Sequence, residues 1–188
     1  MTSNALLDIN MLSVEDAAPE AADIMRDAQK KFGFSPNMYG YMAALPSLLT
    51  TYAKGYSAFR TSAGFSPLEQ EAIFLAISQT NSCHYCTAAH SMVAAMVSGV
   101  PSDVIAQLRA GELPADPKLH ALVSLTREMV ESRGRPSQDT LNAFLNAGYT
   151  ENHVLGIILA ISAKVISNYT NYLTDTELDA AFKPYAVM

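Results

Sequence analysis

The sequence predicts an all-α domain. Apolar residues recur at helical spacing, cap and turn residues punctuate the chain at helix-length intervals, and no convincing run of period-two alternation occurs. At 188 residues the length suits one domain with a full core, read as residues 1–188 with an N-terminal arm over 1–15.

The elements follow in order. Asp16 is placed to cap the first helix, with Pro19 near its start and Gly33 at its end. Phe34-Ser35-Pro36-Asn37 reads as a turn, and Met38–Ala44 as a short helix ended by Pro46. Ser47–Thr61 is apolar at Leu48, Leu49, Tyr52, Tyr56 and Phe59. Ser66 caps the next helix, with Pro67 at its first position, and that helix runs to about Thr80. A helix over Ser82–Ser98 stops at Gly99. Pro101–Ala110, Pro117–Ser132, Ser137–Ala147 and Thr150–Leu173 complete the set.

Composition narrows the function classes. Apolar residues make up 49% and charged residues only 16%, which leaves little charge to cover a monomer's surface and points to subunit interfaces. The net charge of −6 argues against a nucleic-acid partner. The first residues, Met1-Thr2-Ser3-Asn4, lack the basic region of a signal peptide. The longest apolar stretch, Val154–Ile166, is too short to span a membrane and contains Lys164. A cytoplasmic location is expected, without membrane association.

Chemistry concentrates at one place. The chain's two cysteines form Cys83-His84-Tyr85-Cys86, His90 follows one helical turn later, and Glu71 lies twelve residues before Cys83. On a helix, Cys83, Cys86 and His90 share one face, and residues three apart lie within reach of a disulfide. Asn81 or Ser82 as cap would put Cys83 in the first turn, where free amides and the helix dipole favour a thiolate. A thiol pair with a neighbouring base is the equipment of dithiol redox chemistry. Three other readings stay open: a zinc site using Cys83, Cys86, His90 and Glu71, a structural disulfide, and inert buried cysteines. Glu71 itself reads either as part of a proton relay or as an exposed carboxylate near a helix start. His84 reads as solvent-facing, Tyr85 as core or pocket wall, and His120 and His153 as helix-start residues.

The chain also repeats itself. A shift of 84 residues lays Ala63-Gly64-Phe65-Ser66 on Ala147-Gly148-Tyr149-Thr150, and Leu75-Ala76-Ile77-Ser78 on Leu159-Ala160-Ile161-Ser162. In the second copy Glu71 becomes Leu155, Cys83 becomes Ser167, Cys86 becomes Thr170 and His90 becomes Thr174. If the repeat is a duplication, the second copy has lost the chemistry.

Glu71, Cys83-His84-Tyr85-Cys86 and His90 at these spacings resemble the AhpD-like superfamily, which includes the alkylhydroperoxidase D and carboxymuconolactone decarboxylase families. Phe34-Ser35-Pro36-Asn37, the Leu45-Pro46 step and Ser167-Asn168-Tyr169-Thr170-Asn171-Tyr172 resemble its peroxidase-related branch, and the likeness covers about residues 20–180. The resemblance implies an all-helical fold, trimers or hexamers, and thiol-dependent reduction of hydroperoxides. Carried over by position, it makes Cys86 the attacking thiolate, Cys83 the resolving thiol, His90 the base and Glu71 the end of the proton relay. The alkylhydroperoxidase D motif usually has histidine directly before the second cysteine; here Tyr85 stands there, with His84 one position earlier. The expected substrate is a hydroperoxide and the expected donor an unidentified dithiol, with no cofactor and no metal. An oligomeric redox sensor or scaffold is the alternative, with a lactone decarboxylase behind it, since true decarboxylases typically lack the cysteine pair. Two effects compete for the reactive thiol. A helix terminus contributes about 0.3–1 kcal/mol and favours Cys83. A positioned base contributes roughly 3–5 kcal/mol and favours Cys86, which is expected to win.

Overall fold

The computed structural model describes residues 4–186, and every regular element among them is helical. The helices are α1 (Pro19–Phe32), α2 (Asn37–Met42), α3 (Pro46–Ser62), α4 (Pro67–Thr80), α5 (His84–Met96), α6 (Ser102–Arg109), α7 (Pro117–Glu131), α8 (Gln138–Asn146) and α9 (Glu151–Thr174). A 3₁₀ turn, Lys183–Tyr185, follows.

Most boundaries fall where cap chemistry puts them. Ser66 and Glu69 form a reciprocal capping box at α4, with Pro67 at the first helical position. Asp116 and Ser137 cap α7 and α8 through side-chain oxygens. Two expectations need correction. Asp16 does not cap α1: it accepts a hydrogen bond from Ser13 Oγ, and Ala18 occupies the cap without a side-chain bond. Pro46 opens α3, as a proline without an N–H does at a first helical position.

Residues 4–15 carry no helix. The Leu6 and Leu7 amides donate to Leu173 O, and the Leu12 amide donates to Gly40 O. The close approach requires glycine on α2, since a Cβ at Gly40 would lie 2.7 Å from Leu12 O. Residues 1–3 of the expected arm lie outside the described residues.

Two apolar clusters form the interior. One gathers Phe59, Phe65, the middle of α4, and faces of α6, α7 and α8. The other joins α1, α2 and α3 to Cys83, Tyr85, Cys86, Ala163 and Phe182. Tyr56 packs against both. The cysteines therefore lie inside the second of these clusters.

The 84-residue shift reappears in local conformation. Gly64 and Gly148 both take positive φ, 80° and 95°, and capping boxes at Ser66 and Thr150 open α4 and α9. The copies then diverge. The first breaks after Thr80 to start α5, while the second continues as the single 24-residue α9. That helix is long and apolar enough to cross a membrane by length and composition. Its Lys164, Ser167, Asn168 and Asn171, however, are buried within the fold, as in a core helix.

Candidate active site

The break between α4 and α5 builds the site. Ser82 takes φ 54°, reversing the chain, and the Cys83 amide donates to Ser78 O at 2.8 Å. Cys83 is then the N-cap of α5, in extended conformation, and His84 is the first helical residue. The helix thus begins later than Ser82–Ser98 predicts. Cys86, not Cys83, sits in the first turn, where unpaired amides and the dipole act. The helix terminus and the histidine therefore favour the same sulfur.

Both cysteines are buried and reduced. Two residues of α9 meet Cys86 Sγ: Asn171 Nδ2 donates to it at 3.3 Å, and the thiol donates to Ser167 Oγ at 3.6 Å, whose own hydroxyl donates to Lys164 O at 3.2 Å. Asn171 Nδ2 also reaches Met38 Sδ at 3.2 Å and lies 3.9 Å from Cys83 Sγ. Burial pushes the Cys86 thiol up. The Cys83 hydrogen bond, the Lys164 charge, His90 and Ser167 outweigh it, leaving Cys86 well below the ordinary thiol range. Cys83 moves the opposite way, because it donates its hydrogen to Cys86 and is itself buried. The pair is thus split into an acidic Cys86 and a Cys83 that keeps its proton.

His90 is buried, its ring stacked on Phe74 with centroids 4.6 Å apart. Its Nδ1 meets Glu71 Oε2 at 3.0 Å. Glu71 is fully buried, which removes the reading of an exposed helix-start carboxylate. Arg60 NH1 pairs with Glu71 Oε1 at 2.5 Å; Arg60 also donates to Gln70 Oε1 at 3.0 Å and to Tyr56 OH at 2.6 Å. Burial raises the Glu71 carboxyl, but the hydrogen bond and charge of His90, then Arg60, bring it below its usual value. Burial and the Lys164 charge push His90 down to about 4. At neutral pH the imidazole is therefore neutral. A carboxylate only accepts, so Nδ1–H donates to Glu71 and Nε2 is left with its lone pair.

Among the other singled-out residues, His84 is exposed. Tyr85 is both core and pocket wall: its OH donates to Asp179 Oδ2 at 2.5 Å, and its ring packs edge-on against Phe182. His153 sits in the capping box of α9, and His120 lies in the first turns of α7. No group of three or more His, Cys, Asp or Glu side chains among the described residues is arranged to hold a metal ion.

Two recesses flank the pair. An apolar one, walled by Phe34, Tyr39, Tyr52, Tyr56, Tyr85 and Phe182, reaches His90. A more polar one opens onto Cys83 between His84, Asn171, Tyr172 and Asp175.

The structure thus brings all four sequence candidates, Cys83, Cys86, His90 and Glu71, into one buried neighbourhood. Sequence reasoning missed Arg60, Tyr56, Lys164, Ser167 and Asn171. For the α9 residues a signal was present: Lys164, Ser167 and Asn171 are spaced three and four apart, forming one polar stripe on an otherwise apolar helix. The second copy of the repeat has lost the cysteines, yet it supplies this wall of the first copy's site. Arg60 and Tyr56 left no such signal.

Residues 45–128, which include Arg60, Glu71, both cysteines and His90, match the carboxymuconolactone decarboxylase family. The fold is that of a peroxidase-related protein from Ralstonia eutropha JMP134 with an alkylhydroperoxidase AhpD core: TM-score 0.84, 19% identity, 96% of each chain covered. A peroxidase-related protein from Silicibacter sp. TM1040 is similar over 96% of this chain and 95% of that one, at 20% identity and TM-score 0.80. The debrominase Bmp8, as a cysteine-to-alanine variant in complex with 2,3,4-tribromopyrrole, gives TM-score 0.81 at 17% identity over 98% and 97% of the chains. No curated protein matches the sequence. The chain is thus similar to the carboxymuconolactone decarboxylase family across the site and shares the fold of these AhpD-like structures over nearly its whole length. Two of these neighbours are peroxidase-related and one is a debrominase, so the shared fold does not fix one reaction.

Proposed function

We propose that the protein is a thiol-dependent hydroperoxide reductase acting through Cys86 and Cys83. The observation that carries this reading is the split pair: one sulfur accepts from Asn171 in the first turn of a helix while the other keeps its proton beside it. Cys86 thiolate attacks the peroxide's distal oxygen, the O–O bond breaks, and the alkoxide leaves and takes a proton as the alcohol. Cys86 is now a sulfenic acid. Cys83 loses its proton and attacks that sulfur; hydroxide leaves with a proton as water, and a disulfide remains. His90 Nε2, oriented through Nδ1 by Glu71, is the acceptor for the Cys83 proton in this second step. An external dithiol returns two electrons and two protons. The polar recess at Cys83 suits that donor, and the aromatic recess at His90 suits an apolar organic hydroperoxide.

The aromatic recess also supports a second reading, reductive dehalogenation of a small aromatic ring. There the dithiol becomes disulfide while Ar–Br becomes Ar–H, with release of bromide and a proton. One experiment separates the two. Purified protein is mixed with cumene hydroperoxide or a bromopyrrole, and the intact mass and free bromide are followed. Mass loss of two hydrogens with hydroperoxide, and no bromide, is expected. Two free thiols after hydroperoxide turnover would sink the dithiol mechanism, and bromide release would favour the second reading.

Assembly is part of the proposal. Leu155, Ile158, Tyr169 and Tyr172 stand exposed at 63, 45, 59 and 71% along α9, spaced to form one apolar stripe. A trimer or hexamer would cover it. Light scattering at micromolar protein is expected to give at least three times the 20.3 kDa subunit mass, and a monomer peak would refute this.

A further inference from the structure

The dithiol site contains a basic group without an ion-pair partner that no step above uses. Lys164, on α9, is completely buried, and its Nζ has no hydrogen-bond partner among the described residues. The Phe74 ring lies under it, with its centroid 5.6 Å away, and its charge acts on Cys86. One turn further along α9, Ser167 Oγ accepts from Cys86, and after another turn Asn171 Nδ2 donates to it. An ammonium buried without a counter-charge costs several kcal/mol, and the fold tolerates one only if something nearby carries the opposite sign.

Lys164 acts on Cys83, Cys86 and His90 of α5, and the other titratable groups of the site are Tyr52, Tyr56 and Arg60 of α3 and Glu71 of α4. The tyrosines are held neutral by burial. Arg60 and Glu71 cancel through their ion pair. His90 is neutral, and Cys83 keeps its proton. That leaves Lys164 and Cys86. A neutral thiol is a weak acceptor, yet Asn171 Nδ2 directs an N–H at Cys86 Sγ, as suits a thiolate.

We propose that Lys164 is the counter-charge of the Cys86 thiolate, so that the resting site is a buried ammonium–thiolate pair. Relative to the neutral pair, the Cys86 S–H bond is broken and an N–H bond is formed on Lys164, with no other reactant needed. Lys164 is thus a positioning residue for charge, and it relieves His90 of activating Cys86. This assignment rests on Cys86 as the reactive thiol but on no particular substrate.

The test uses no peroxide. In the Cys83→Ser protein, the rate of Cys86 alkylation by iodoacetamide is followed against pH, with and without Lys164→Met. Loss of the ammonium is expected to slow alkylation at neutral pH by about 10- to 10³-fold and move the profile to higher pH. An unchanged profile overturns the proposal. A second comparison leaves the lysine in place: Cys86→Asp against Cys86→Asn. If Lys164 carries the charge, aspartate supplies a fixed partner and melts higher than asparagine. If not, a second carboxylate has been buried for nothing and the aspartate variant melts lower, which also overturns it. Either result stands whether or not the protein proves to reduce hydroperoxides.

Discussion

Cys86→Ser is expected to bring hydroperoxide turnover to background and to abolish sulfenic acid formation. The sulfur it removes is the one that Asn171, Ser167 and the start of α5 address. Cys83→Ser is expected to behave differently. It leaves the nucleophile but not the partner, so a sulfenic acid trappable by dimedone accumulates on Cys86 and progresses to sulfinic acid under excess peroxide. His90→Ala keeps both thiols and is expected to slow disulfide closure by about 10²–10⁴-fold, the range of a positioned base. Trapping followed by peptide mass spectrometry distinguishes these outcomes. Sulfenic acid on Cys83 in the Cys86→Ser protein would reverse the assignment.

Arg60→Met is expected to destabilise the fold by about 3 kcal/mol, the lower end of the range for breaking a buried ion pair, because the arginine side chain keeps 19% exposure. It leaves Glu71 buried with His90 as its main partner and removes donors from Tyr56 and Gln70. Arg60→Lys is expected to rescue only part of the loss, since an ammonium cannot reproduce the guanidinium's fork. Acid should act on the same network. The Glu71 carboxyl titrates lower in the folded chain than unfolded, so its contribution is present above the ordinary carboxylate range and fades as pH falls through the depressed value. His90 drops from 6.5 unfolded to about 4 folded. Between those values the unfolded chain binds the extra proton, so acid removes about 3 kcal/mol, all of it present above the upper value. Urea denaturation at neutral pH and near pH 5 measures both effects. A pH-independent midpoint, or an Arg60→Met protein as stable as wild type, would show that the network holds no such energy.

The helices were legible because their signals are local. Ser66 with Glu69, Pro67, Gly33 and Gly99 mark ends through backbone chemistry that needs no distant partner. The misplaced start of α5 has an equally local cause that propensity does not encode: Ser82 adopts positive φ, so the helix opens at His84 and the cap falls on Cys83. That difference of about two residues decided which cysteine lies in the first turn. Asp16 failed as a cap because Ser13 offered its side chain a nearer partner.

The sequence by itself determined the all-α class, most helix ends, and the identity of Cys83, Cys86, His90 and Glu71 as a set, because i, i+3 and i, i+4 spacing is a statement about one helix. Only the tertiary structure decided what charges and donors meet that set. Arg60 comes from α3, and Lys164, Ser167 and Asn171 come from α9, far along the chain. Whether Glu71 was solvated or buried, and which thiol kept the proton, depended on how α3, α4, α5 and α9 pack together. Electrostatic environment is set by neighbours in space and by burial, and neither is written in the spacing of residues along a single helix.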